Sequence, residues 1–159
     1  MESFEYVRPG TVNEAVALLA EKPGRARALA GGTDLLVQMK VGRRQVDRVV
    51  DIKGIDELSE IHVNADGSVT IGAAVPANKV YSHPAVVAGY AGIIDSASIV
   101  GGIAIQGRAS LGGNLCNSAP SGDTIPSLAA AGAIAIIAGP SGRREVPVGE
   151  FCTGPGQNC

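Results

Sequence analysis

The sequence predicts an α+β fold in two lobes, a small β-α-β lobe over residues 1–55 and a larger lobe of mixed sheet and helix over 56–159. Three observations predict it. From Phe4 to Ile52 short strand patterns alternate with helical ones, as in a β-α-β-α-β unit. Beyond Ile55 the texture changes to paired alternating runs around turn residues, beginning with "EIHVNADGSVTIGAAV". Glycine is also in excess: 22 in 159 residues, about twice the usual share of roughly 7%. Many special loops are expected where backbone turns sharply or meets a neighbour closely.

"FEYVRPGTVNEAVALLAE" opens with a strand broken at Pro9-Gly10. Thr11 and Glu14 have capping-box spacing, and Val12, Ala15, Val16 and Leu19 form one apolar helix face. Lys22-Pro23-Gly24 ends that helix. "ARALA" (26–30) reads as a strand, "DLLVQMK" (34–40) as a short helix with Leu35, Leu36 and Met39 on one side, and "RVVDI" (48–52) as the next strand. In the second lobe Asp66-Gly67 marks a hairpin turn. A short helix is expected after Asn78 as cap, then a turn at Ser82-His83-Pro84, then helix-compatible sequence from Ala85 to Val100 interrupted at Gly89 and Gly92. Residues 101–122 read as a long irregular loop, too long to be an idle connector. Asp123 or Thr124 is expected to cap a helix with Pro126 in its first turn. "AIAIIAGPSGRREVPV" reads as a second hairpin, and Pro147 places its last strand at an edge. "FCTGPGQNC" ends in a turn with no element after it, which predicts a chain cut short.

Composition excludes several function classes. Net charge is −2 with 3% aromatic residues and no Trp, which speaks against nucleic-acid binding by charge or stacking. "AAAGAIAIIAG" (129–139) is much shorter than the ~20 residues of a membrane helix, so no membrane insertion is expected. The N-terminus lacks a signal-peptide pattern, and a cytoplasmic protein is the default. Cys116, Cys152 and Cys159 have no CxxC spacing, so neither a disulfide framework nor a metal or iron–sulfur site is expected on this chain. His62 and His83 are expected as surface or loop residues and Cys116 as a small packing residue. Lys40, Arg43 and Arg44 read as a solvated helix end, with partner docking or a phosphate contact as the lesser reading, and no side chain is named as catalytic.

Two glycine loops carry the candidate chemistry. In "LAGGTDLL" (Leu29, Ala30, Gly31, Gly32, Thr33, Asp34, Leu35, Leu36) consecutive glycines lie between a strand and a helix. Such a turn can present convergent N–H groups to a phosphate with no Cβ in the way. Asp34 is expected to turn from phosphate and cap the helix. Glycines there for sterics alone are the other reading, and the motif by itself leaves both open. The second loop, "RASLGGNLCNSAPSGD", offers Ser110, Leu111, Gly112, Gly113 and Asn114, with Asp123 beyond as a carboxylate suited to a ribose diol or to N-cap duty. Two such loops suit a ligand with two halves. Neither is a GxGxxG, and no GxxxxGK[ST] is present.

These two stretches, with "FEYVRPGTVNEAVALLAE" and "SVTIGAAVP", resemble the FAD-binding subunit of molybdenum hydroxylases over nearly the whole chain. That family includes the flavin subunit of xanthine dehydrogenase and the medium subunit of aerobic carbon monoxide dehydrogenase. The resemblance implies the two-lobed FAD-binding fold of the vanillyl-alcohol-oxidase type, with the FAD pyrophosphate held by Leu29–Leu36 and Ser110–Asn114, and Asp123 near the ADP ribose. Val100 stands where xanthine dehydrogenases place a Phe near the adenine. It also implies an oxidoreductase subunit passing electrons from a [2Fe–2S] small subunit through FAD to NAD or another acceptor, with substrate oxidised on a molybdopterin-binding large subunit. Family members continue into a further C-terminal domain, so the dinucleotide half of the site is expected here and the flavin-ring half is expected to be incomplete. The alternatives are a self-contained flavin oxidase or dehydrogenase of the related fold, and a truncated non-catalytic FAD- or ADP-binding module.

Overall fold

In the computed structural model, which describes residues 2–159, three parallel strands organise the N-terminal part of the chain. β1 (Glu5–Val7), β2 (Ala26–Leu29) and β3 (Arg48–Asp51) form one sheet in the order β1-β3-β2. Parallel neighbours need crossovers, and α1 (Val12–Ala20) and α2 (Leu35–Lys40) supply them. Central β3 is buried along its length, with Val49 and Val50 at 0% exposure. One face packs Val50 against Ala15 of α1 and the other packs Val49 against Leu29 and Met39. The apolar side read for α2, Leu35, Leu36 and Met39, faces that second cluster.

The capping box at α1 forms in altered shape. The Glu14 N–H donates to Thr11 Oγ1 at 3.2 Å, whereas the Glu14 carboxylate accepts from the Gly10 N–H at 2.8 Å. Arg48, buried in the sheet, answers its charge with Glu5 and Glu21, at 2.8 and 2.5 Å.

β3 leads through a 3-10 turn and α3 (Asp56–Ser59) into the first hairpin, β4 (Ile61–Val63) and β5 (Val69–Ile71). Five short helices follow: α4 (Ala77–Tyr81), α5 (Pro84–Gly89), α6 (Ala91–Ser98), α7 (Ile103–Gln106) and α8 (Leu111–Asn117). α9 (Ile125–Ala130) precedes the second hairpin, β6 (Ile134–Gly139) with β7 (Gly142–Pro147), and α10 (Val148–Phe151) closes over it. The core of this lobe gathers Val75, Val80, Val86, Ile93, Ala97, Leu111, Leu115, Leu128 and Phe151.

Several expectations are corrected. Asn78 does not cap: it lies inside α4, whose N-cap position is Pro76. The Ala77 N–H is instead taken by the Ala109 carbonyl at 2.7 Å. Gly92 does not interrupt α6, since the break falls at Gly89–Tyr90. Residues 101–122 are not one irregular loop but hold α7 and α8, the latter nucleated by Ser110, whose hydroxyl accepts from the Gly113 N–H at 3.1 Å. Neither Asp123 nor Thr124 caps α9 through its side chain. The closing turn does lead somewhere. β8 (Cys152–Gly154) pairs with β9 (Gln157–Asn158), and the Gly156 N–H donates to the Ser118 carbonyl at 2.8 Å.

Candidate functional site

Both glycine loops sit where a chain leaves one element and starts a helix, and the fold brings them to one place. The joint is Gly31. A Cβ built there falls 1.8 Å from the Arg108 carbonyl oxygen and 2.9 Å from the Ala109 nitrogen, so the backbone of the first loop rests on the peptide that enters the second. Any side chain would push the lobes apart. Two further ties hold the arrangement: Gln38 of α2 donates to Asn117 Oδ1 of α8 at 3.1 Å, and Pro76 bridges Ser110 in antiparallel fashion. On the other flank, a Cβ at Gly112 would fall 2.6 Å from the Ala73 backbone.

The four glycines therefore do different work. Gly31 and Gly112 permit backbone contact within the protein. Gly32 has φ +77°, and a Cβ there would also meet Leu29 and Leu36 side chains at 2.9 and 3.0 Å. Gly113 alone has an open face, with only Ser110 Oγ within 4 Å of a built Cβ. Even there a Cβ would press on the Ser110 hydroxyl, 3.0 Å away, that caps α8.

The polar residues divide the same way. Ser110 is buried and holds the first turn of α8. Asn114 accepts from both the Thr124 N–H and hydroxyl, at 3.3 and 2.9 Å, and Thr124 is 1% exposed. Asn114 thus fixes the residue after Asp123, leaving the Asp123 carboxylate exposed. Asp34 stands at the N-cap position of α2, but its side chain makes no capping hydrogen bond, which corrects the expectation that it caps. Its backbone is helical at φ −100°, ψ −50°, and that geometry does not aim an Asp side chain at the first N–H groups. Thr33 is half-buried beside it.

Sequence reasoning missed the seat made by Arg108 and Ala109, the Gln38–Asn117 bridge and the part of Ala73. Each is a contact between residues far apart in the chain, and no local pattern announces it. Cys116 is exposed as a residue, but burial around its thiol pushes the thiol above the ordinary cysteine value. His62 is exposed and lies 3.2 Å from Glu60. Among the described residues, a surface cavity of about 430 Å³ beside Lys79 and His83 lies apart from both loops, and one of about 280 Å³ is lined by Ser118, Pro120 and Gly122 at the far end of the second loop, with Ile125 beside them. The candidate site is an open surface where the two glycine loops meet. Among the described residues no cluster fit to hold a metal ion is present, and no helix is long and apolar enough to cross a membrane.

The fold thus presents a strand–glycine–helix loop abutting a second glycine-bearing helix start, with an exposed carboxylate beyond. Residues 2–159 match the family described as FAD binding domain in molybdopterin dehydrogenase, and the chain belongs to that family. It is 36% identical over 152 residues to the xanthine dehydrogenase FAD-binding subunit of Escherichia coli O157:H7, covering 96% of this chain and 52% of that protein. It is 35% identical to the carbon monoxide dehydrogenase medium chain of Hydrogenophaga pseudoflava, covering 95% and 52%. The chain spans about half the length of the curated relatives it matches. Among solved structures, carbon monoxide dehydrogenase from Hydrogenophaga pseudoflava superposes with a TM-score of 0.94 at 34% identity, over 99% of this chain and 54% of that one. Quinoline 2-oxidoreductase from Pseudomonas putida 86 gives 0.92 at 27%, with the same coverage. These relatives are oxidoreductase subunits, and the mixed α+β fold is theirs.

Proposed function

We propose that this chain is the FAD-binding part of an electron-transfer subunit of a molybdenum hydroxylase. Its partners would be a [2Fe–2S] small subunit and a molybdopterin-binding large subunit, with NAD or another acceptor taking the electrons. The observation that carries the reading is the seating of Gly31 on the Arg108–Ala109 peptide, which makes one surface of two loops. FAD, when bound, supplies the redox chemistry. The chain's own residues bind and orient it. The backbone around Gly32 and Thr33 and the open face of Gly113 suit the pyrophosphate, and exposed Asp123 suits the ribose diol of the ADP half. No acid–base side chain is required of such a subunit. Two lobes of the vanillyl-alcohol-oxidase type agree with this division of labour.

The test is the visible spectrum of the purified chain after incubation with FAD and removal of the excess. Oxidised-flavin bands, with FAD released on denaturation, are expected. A colourless chain that takes up no FAD on reconstitution would overturn the reading, and turnover of a donor without partner subunits would favour a self-contained oxidase.

A further inference from the structure

The outward side of α2 is unlike the rest of the first lobe's surface. Val37 and Val41, one helical turn apart, are 57% and 60% exposed, so the helix presents apolar side chains away from its own core as well as toward it. Around them Lys40, Arg43 and Arg44 follow without an intervening acid. Among the described residues none of the three has a carboxylate within salt-bridge distance, whereas the neighbouring Arg25 is matched to Asp47 at 2.6 Å. The turn after α2 folds back, the Arg43 and Arg44 N–H groups both donating to the Gln38 carbonyl at 2.9 and 3.3 Å. This fold-back sets both arginines beside Val41.

Arg27, on β2, adds an independent sign. Its Nη1 donates to the Ala26 carbonyl at 2.8 Å, but its Nε is buried with no acceptor. Burial, and then the charge of Arg44, hold its guanidinium below the ordinary arginine value. A buried donor left unmet beside a second unpaired cation is costly. It is relieved when a carboxylate arrives from outside. The nearest acid on the element, Asp34, stands at the opposite end of α2.

We infer that the Val37–Val41 face of α2, rimmed by Lys40, Arg43 and Arg44, is the docking surface for an acidic partner protein, whose carboxylate reaches the Arg27–Arg44 pair and whose apolar side chain covers the valines. The choice of occupant rests on charge complementarity: a cationic rim about an apolar centre selects carboxylates about an apolar knob. The surface begins one residue after Leu36, where the first glycine loop ends, and its partner is taken from the assembly proposed above, so the inference rests on that reading.

The test is co-expression of the full-length protein with the iron–sulfur and molybdopterin subunits of its assembly, followed by size-exclusion chromatography at low and high salt. Flavin absorbance is read in the same fractions. Wild-type complex is expected to loosen as salt rises. Val41→Asp and Arg44→Glu are expected to weaken it on the order of tenfold or more, with flavin content unchanged. A zero-length carbodiimide should join Lys40 to a partner carboxylate in the wild-type complex, as read by mass spectrometry. If both variants assemble like wild type, or the cross-links fall elsewhere and spare Lys40, the surface is overturned. A wild type that binds FAD yet never assembles overturns the assembly and the surface together, while leaving the cofactor reading intact.

Discussion

A single methyl group separates the roles of the site glycines. At Gly113 an added Cβ finds only Ser110 Oγ nearby, and the residue lies in a helix. Gly113→Ala is therefore expected to change stability by no more than about 1 kcal/mol, the gain in helix propensity being set against pressure on the Ser110 cap, while FAD affinity falls. Chemical denaturation and FAD titration of one preparation read both, and equal FAD affinity would remove Gly113 from the binding surface. Gly31→Ala has the opposite signature, because its Cβ would enter the Arg108 carbonyl. It is expected to cost on the order of 3 kcal/mol by overpacking, with or without ligand. Gly32→Val informs less, since it strains φ and strikes Leu29 and Leu36 before any ligand is considered. Asp51 is the most buried of several carboxylates held below their ordinary values, Glu5, Asp47, Glu57 and Asp66 being the others. Burial would raise its pKa, but hydrogen bonds from Lys53 and Tyr6 overcome this and hold it below the ordinary 3.8. Its contribution to stability is thus complete above the ordinary value and is lost as pH falls through the lower, folded one. Asp51→Asn should flatten the acid limb of a stability–pH profile, and an unchanged limb would contradict this.

At the scale of elements, α8 and α9 are held in register by Asn114, which accepts twice from Thr124. Asn114→Ala leaves a buried hydroxyl and N–H unmet, and an expected loss of about 2 kcal/mol should appear in urea denaturation. FAD binding should weaken as well, because the turn carrying Asp123 is released. This is also where legibility in the sequence changes. The first lobe could be read closely: Val12–Leu19, Leu35–Met39 and "RVVD" each carry a period that matches how they are buried. Both hairpins declared themselves at Asp66-Gly67 and around Gly139–Gly142. The tract between Gly101 and Gly122 did not. Its helices, Ile103–Gln106 and Leu111–Asn117, are too short to show a period, and the second carries two glycines, poor helix formers. The first is held by buried Gln106, which accepts from the Tyr81 hydroxyl and donates to the Ser98 carbonyl, and the second persists because Leu111 and Leu115 enter the core and Ser110 caps it. The tertiary setting overrides the local preference. Glycine pairs flagged the candidate site, but not the contacts that assemble it, such as Gln38–Asn117.

For the whole molecule, the backbone contact at Gly31, the Gln38–Asn117 bridge and the packing of Ala74 and Leu58 with Ala15 and Val50 join the two parts, and a ligand touching both loops should act as a further tie. Free FAD at a hundred times its dissociation constant is expected to stabilise the fold by about 2.7 kcal/mol. A thermal melt should show this as a higher midpoint, and an unmoved midpoint at saturation would count against a two-lobed site. The contact at Gly31 has a consequence for motion and for change over time. Where side chains fill a joint, rotamers can absorb a shift and the gap can drift as the core is repacked. Here the spacing is set by one peptide lying on another, a hard stop with no adjustable filler. An expansion of the sheet behind Leu29 would pass undiminished to the start of α8. The width of the cleft behaves as a constant of the chain trace, and adaptation to a different ligand would have to come from its rim.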